Sequence, residues 1–245
     1  MKIVSCGCTG EAPESEAVPF RFRDSSFVAF PGRLDANLRA YYPLDDGVPG
    51  RDISGVGNHA TPSIPPVEYV DGLLCGKSER FDGRQWYAPP FSLADELTVS
   101  VWAKPSAEKR ETTLLSVGDD LRFGLSWLRE PIVWINERRP NEVPITAAAI
   151  PSQTWTHLAF VRESQRFAIY VDGQSVDLQY DGQPTAAAEY TDKIETGPTE
   201  ISRYRNGSGL SGVYQDMVIR AAAMTAAEID AERRSMCESV WEIVP

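Results

Sequence analysis

The chain is poor in histidine, cysteine and positive charge. It holds only two histidines, His59 and His157, among 245 residues, which nearly excludes chemistry built on clustered imidazoles. There are four cysteines. Cys6 and Cys8 stand two apart and make no zinc pattern, which wants C-x₂-C pairs with a second pair downstream. Cys75 and Cys237 are either a disulfide or two buried thiols, and their spacing leaves both open. Lysine and arginine total 24 against 35 acidic residues, a formal net charge of -11. That balance argues against binding nucleic acid, because phosphate contact needs Lys and Arg clusters. No stretch approaches the ~20 apolar residues of a membrane span, so no membrane partner is expected. The first twenty residues, MKIVSCGCTGEAPESEAVPF, contain no apolar run of signal-peptide length. Either the chain is not exported through a standard signal, or that signal has been removed.

What is present is a large apolar fraction. At 42% hydrophobic and 10% aromatic the chain can bury a substantial core. Its length suits one large β-domain or two small ones. The acidity keeps such a chain soluble, and acidic loops are also the oxygen donors that Ca²⁺ takes.

Residues 1–37 differ from the rest. They are rich in Gly, Pro, Ser and Glu, with Phe20, Phe22, Phe27 and Phe30 bracketed by Pro19 and Pro31. This composition reads as an extended arm and not a domain. Its phenylalanines must be buried somewhere, either on the parent domain or on a neighbouring subunit by strand addition. The second case makes the chain a homo-oligomer.

From Leu38 to Pro245 strand signals recur between turns. Leu97, Val99, Val101 and Ala103 alternate cleanly and predict a half-buried strand. Further strands are expected at 38–44, 72–81, 113–117, 121–127, 132–135, 200–204 and 212–221. The strongest local signal is 153–176. Leu158 and Phe160 alternate with His157, Ala159 and Val161; Phe167, Ile169 and Val171 alternate with Ala168 and Tyr170. Asp172-Gly173 then supplies the positive φ angles of a two-residue hairpin turn. About ten short strands with little helix point to an antiparallel β-sandwich or barrel. One helix is predicted over 226–236, opened by the capping box Thr225-Ala-Ala-Glu228.

The order of these segments resembles the laminin-G-like domains of the concanavalin A-like lectin/glucanase superfamily. The resemblance rests on Leu38–Asp46, Asp52–His59, Lys77–Gly83, Leu97–Pro105, Trp155–Ala159 with Tyr170–Gly173, and Tyr214–Ile219 with Met224–Ile229. Together they cover about residues 38–230. The resemblance implies an all-β fold: an antiparallel jelly-roll sandwich with an extended N-terminal arm and a short C-terminal helix. It implies no single activity, since this fold hosts lectins, glycosidases and adhesion modules.

Glucanases of the superfamily place two Glu and one Asp on a single strand, so that alternation lines the carboxylates along one face. The literal match here, Glu228-Ile-Asp230-Ala-Glu232, falls in the terminal helix, whose 100° steps scatter the three. It reads as a solvated helix face. No catalytic residue is assigned, and the chain is expected not to be an enzyme. The resemblance also implies a structural Ca²⁺ held by Asp52, Asn58 and Asp216 with nearby backbone carbonyls, although Met217 stands where the family usually has a second carboxylate. Asp and Asn are equally at home in any glycine-rich turn.

Sugar binding needs an aromatic platform with polar neighbours. Trp86, Tyr87, Trp127 and Trp134 are available. Trp134 with Asn136, Arg138, Arg139 and Asn141 is the most suggestive group, with Trp134, Asn136, Arg138 and Asn141 as expected ligand contacts. Trp102 and Trp155 belong to packing, and His157 is expected on a strand face, hydrogen-bonded. The expected function is a recognition or structural module exposed on a virion, as a capsid decoration or tail-associated protein. There the arm would dock on other virion proteins and the sandwich would face glycans. Alternatives are a glycoside hydrolase or lyase of the same fold, and a secreted bacterial adhesion or carbohydrate-binding module, which would place the chain at a cell surface or outside the cell.

Overall fold

A computed structural model describes residues 36–45, 48–63, 68–73, 77–82, 87–91, 95–118, 121–135, 145–146, 149–164, 166–180, 183–185, 188–189, 198–202 and 209–238. The expected arm, with its phenylalanines, lies outside them except for its last two residues. In chain order the first strands are β1 (Leu38–Tyr42), β2 (Thr61–Pro62), β3 (Glu68–Asp71), β4 (Lys77–Asp82), β5 (Tyr87–Ala88) and β6 (Glu96–Pro105). Then come β7 (Thr112–Val117), β8 (Leu121–Leu125), β9 (Pro131–Ile135), β10 (Ile145–Thr146), β11 (Thr156–Glu163) and β12 (Arg166–Val171). The last are β13 (Gln174–Ser175), β14 (Leu178–Tyr180), β15 (Gln183–Thr185), β16 (Ala188–Glu189), β17 (Thr199–Ile201) and β18 (Ser211–Arg220), followed by helix α1 (Ala226–Glu238). The long strands stand where alternation predicts them. The additional ones are mostly two to four residues long, too short to show a period.

The strands form two antiparallel sheets. One runs β13-β12-β11-β6-β18-β4-β3, with β1 also on β18 and β16 on β12; the other runs β15-β14-β10-β9-β8-β7-β17-β5-β2. Leu97, Val99, Val101, Ala103, Leu158, Phe160, Phe167 and Ile169 of the first meet Leu115, Val117, Leu121, Phe123, Leu125 and Val133 of the second in the central core. Phe123 packs on Phe160 and Phe167 with ring centroids 5.3 and 6.5 Å apart. Burying this many aliphatic and aromatic side chains is the main force holding the sheets together.

Strand β18 is the hinge of the first sheet. Its first half pairs with β4 and its second half with β1. A bulge against β6 between Gln215 and Val218 marks the change of partner, and there Asp216 takes a left-handed φ of 53°. Bulges of this kind re-aim a side chain. The β12–β13 turn forms as expected, with Asp172 at φ 50° and Gly173 at φ 79°. Among the described residues no helix is long and apolar enough to cross a membrane.

Candidate functional site

The glycine-rich loop at 51–59 folds on its own side chains. Asp52 Oδ1 accepts from the backbone N–H of Tyr41 and of Ser54, both at 2.9 Å, and Oδ2 accepts from Asn58 N at 2.8 Å. Ser54 Oγ accepts from Val56 N at 3.1 Å. These are Asx and Ser turns, which is why Asp, Ser and Asn sit at this spacing. Gly55 and Gly57 take φ near 85°, conformations that L side chains rarely adopt. The Asn58 amide donates to Arg39 O at 2.7 Å, and its carbonyl accepts from the Tyr42 hydroxyl at 2.7 Å.

Asp216, the third residue of the expected Ca²⁺ set, is fully buried. Its Oδ1 accepts from the Tyr41 hydroxyl and its Oδ2 from Gln215 Nε2 at 3.3 Å. Gln215 Oε1 in turn accepts from Ser78 Oγ at 2.6 Å and Leu73 N at 3.0 Å. Asp52 therefore sits at the backbone end of Tyr41 and Asp216 at its hydroxyl end. Both carboxylates are engaged by protein donors, and among the described residues no three His, Cys, Asp or Glu side chains are grouped to hold a metal ion. Ca²⁺ wants six to eight converging oxygens. As arranged, these two carboxylates do not converge as such a site needs, and the polar network they form ties the loop to β1 and β18.

A second polar cluster joins the two sheets. Glu79 of β4 stands two residues before Phe81 and shares its inward face, so its side chain is almost wholly buried. Tyr87 of β5, in the opposite sheet, donates its hydroxyl to Glu79 Oε2 at 2.7 Å. Burial raises the Glu79 carboxyl to about 7; the Tyr87 hydrogen bond opposes the rise, and nearby Asp45 adds to it. Burial also raises the Tyr87 phenol. A charged residue in an inward strand position was the sequence signal for this cluster.

A third cluster lies beneath α1. The capping box forms: Thr225 N and Oγ1 donate to Glu228 Oε2 at 2.7 and 2.8 Å, and Glu228 N donates back to Thr225 Oγ1 at 3.4 Å. Ile229 packs on Ala159, Val161 and Tyr170. Of the Glu228-Asp230-Glu232 triplet, Glu228 is exposed, and Asp230 pairs with Arg233 and Arg234. Glu232 is not on a solvated face as expected. It is buried, accepts from Ser100 Oγ and pairs with the guanidinium of Arg220. Helical geometry sets Asp230 apart from Glu228 and Glu232, and the part of the helix carrying Glu232 is the part that docks. His157 is also buried here, edge-on to Trp102 at 5.3 Å. Among the described residues neither of its ring nitrogens has a hydrogen-bond partner, which corrects the expectation of a bonded histidine. Burial, with Arg233 adding and Asp230 opposing, lowers it from 6.5 to about 3.

The aromatics divide differently from expectation. Trp134 is 4% exposed, and the Arg122 guanidinium lies 4.0 Å from its ring centroid. Arg122 is itself paired with Glu111 at 2.7 Å. A tryptophan so covered is a packing residue and not a sugar platform. Asn136, Arg138, Arg139 and Asn141 lie outside the described residues, as do Trp86, Cys6, Cys8 and Cys75. Trp102 and Trp155 pack with Leu38, Tyr41 and Val218, as anticipated. Among the described residues Trp127 is the tryptophan in the open, 61% exposed at the tip of the β8–β9 hairpin with Leu128 at 50%. The expected strand at 121–127 included Trp127; the strand ends instead at Leu125, and Trp127 falls in the turn.

No curated protein sequence matches this chain. Solved structures that share its fold include three of different origin. One is domain 4 of a GH43 extracellular arabinanase from Geobacillus stearothermophilus in complex with arabinotriose (19% identity, TM-score 0.62, covering 79% of this chain and 97% of that one). Another is the binding domain of Paraclostridial Mosquitocidal Protein 1 (15% identity, TM-score 0.59, covering 83% and 53%). The third is the Trypanosoma rangeli sialidase (13% identity, TM-score 0.57, covering 83% and 33%). At these identities the likeness shows the fold alone. It nonetheless overturns the expectation that the chain is not an enzyme. Structures of this fold belong to a GH43 arabinanase and a sialidase, and a search for carboxylates on one strand does not see every chemistry the fold supports. A laminin-G family model matches residues 78–230, more than half of the sequence, leaving the 38–46 and 52–59 segments outside the match. The chain belongs to the concanavalin A-like lectin/glucanases superfamily.

Proposed function

We propose that the chain is a carbohydrate-recognition module. The observation that carries this reading is the fold shared with an arabinanase domain whose structure holds arabinotriose, over 79% of this chain and 97% of that domain. The described carboxylates support it from the other side. Asp52, Glu79, Asp216 and Glu232 all serve as buried acceptors that hold the fold together, so recognition falls to groups left at the surface. The test is titration of the full chain against an array of neutral and acidic oligosaccharides, followed by calorimetry on the hits. Saturable binding to at least one glycan is expected, and no binding across the array overturns the reading. A reducing-sugar release assay on the same polysaccharides reads whether the module also cleaves what it binds.

The further proposal is display on the outside of a virus particle as a capsid-decoration or tail-associated protein. Its support is the phenylalanine-bearing stretch between Pro19 and Pro31 and the net charge of -11. Deletion of residues 1–37 is expected to abolish incorporation into the particle. If the truncated chain still joined its assembly, arm docking would be excluded.

A further inference from the structure

Resting on the glycan-recognition reading, we propose that the β8–β9 hairpin tip is the contact surface, with Trp127 as the stacking platform, and that its ligand class is the uncharged glycan. Trp127 and Leu128 are 61% and 50% exposed, whereas Trp102 and Trp134 are at 5% and 4%. The tip is held rigidly. Ser126 N donates to Glu130 O and Arg129 N to Ser126 O, both at 2.8 Å. Ser126 Oγ accepts from Leu128 N and Glu130 N at 3.2 Å and donates to Glu130 Oε2 at 2.8 Å. Ile150 N donates to Arg129 O at 3.0 Å, which fastens the tip to the neighbouring segment. Arg129 is kept at φ 66°, a conformation that non-glycine residues hold only where the surroundings enforce it. A large aromatic exposed on so well-determined a backbone is pre-organised for contact.

The occupant follows from size and charge. An indole offers roughly 150–250 Å², and two apolar side chains fall far short of the ~800 Å² per partner in a stable protein interface. One apolar face of a sugar ring matches that area. Arg129 and Glu130, both half-buried in the same turn, supply guanidinium N–H groups and a second carboxylate oxygen for sugar hydroxyls. The net charge of -11 repels acidic glycans and anionic bilayers alike, so the neutral glycan remains.

The test is affinity electrophoresis of the full chain through arabinan, β-glucan and xylan, with alginate and heparin as acidic counterparts. Sedimentation velocity is run alongside on wild type, Trp127→Ala, Trp127→Phe and Leu128→Ala. Retardation by at least one neutral polymer is expected, weakened roughly tenfold in Trp127→Ala and largely kept in Trp127→Phe. Wild-type retardation that Trp127→Ala leaves unchanged sinks the tip while sparing glycan recognition. Retardation by the acidic polymers only sinks the ligand class. No retardation anywhere sinks the glycan reading itself. A drop in oligomeric state in Trp127→Ala assigns the tip to contact between copies and overturns the proposal.

Discussion

Two buried titratable residues push stability in opposite directions along the pH scale. Glu79 is raised from 4.5 to about 7 by burial. The folded chain therefore keeps a proton that the unfolded chain releases between those values. The stabilisation from that proton is complete below pH 4.5 and lost as pH rises through 7. Glu79→Gln keeps an acceptor for Tyr87 and removes the charge. It should match wild type near pH 4 and exceed it by roughly 2–3 kcal/mol at pH 8, read by urea denaturation. A variant less stable than wild type at pH 8 would mean that the folded chain uses the ionised form. His157 runs the other way, lowered from 6.5 to about 3. The unfolded chain takes up a proton that the folded chain refuses, so stability is intact above pH 6.5 and falls as pH drops toward 3. The loss at pH 4.5 should be roughly 2–3 kcal/mol. Because its nitrogens have no hydrogen-bond partner among the described residues, His157→Phe should flatten the slope between pH 6.5 and 4. An unchanged slope would assign the acid sensitivity elsewhere.

Among the elements, α1 depends least on its own sequence and most on its docking. A capping box and one apolar contact do not hold a short helix in water. The ion pair of Glu232 with Arg220, backed by Ser100, closes it onto β6 and β18. Both partners are buried, so removing one leaves a buried charge less compensated. Glu232→Ala should cost about 3–5 kcal/mol and speed amide exchange along α1. The double variant Glu232→Leu with Arg220→Met should recover most of that loss, because a buried pair often yields little net gain over apolar packing. If the double variant were as unstable as the single one, the pair would be a true source of stability.

For the molecule as a whole, the loop at 51–59 is closed by protein donors on Asp52 and Asp216. Chelation should then leave the melting temperature unchanged within about 1 °C, and millimolar Ca²⁺ should not raise it, since a ligand stabilises only what it binds. A rise of several degrees with Ca²⁺ would restore the expected metal role and require Asp216 to leave Tyr41. The pH window set by Glu79 and His157 spans the same molecule from two sides. Glu79 joins the sheets through Tyr87, and His157 lies under the helix on the outer face of the first sheet.

The sequence alone determined the long strands, the turn and the cap. Leu97, Val99, Val101 and Ala103 declare one face by their period, Asp172-Gly173 declares a turn by its φ preference, and Thr225 with Glu228 declares a helix start. Each is a local property of a few neighbouring residues. Which residues meet across the fold was decided only by tertiary structure. Strand β6 is buried on both faces, so alternation separated its side chains into two sets without saying what covers the second. Trp134 and Trp127 look alike in sequence, yet one lies under Arg122 and the other stands in the open. Asp52 and Asp216, 164 positions apart, meet Tyr41 at its two ends, because the bulge in β18 turns Asp216 toward β1. Such placements depend on sheet order and register, which no short stretch of the chain encodes.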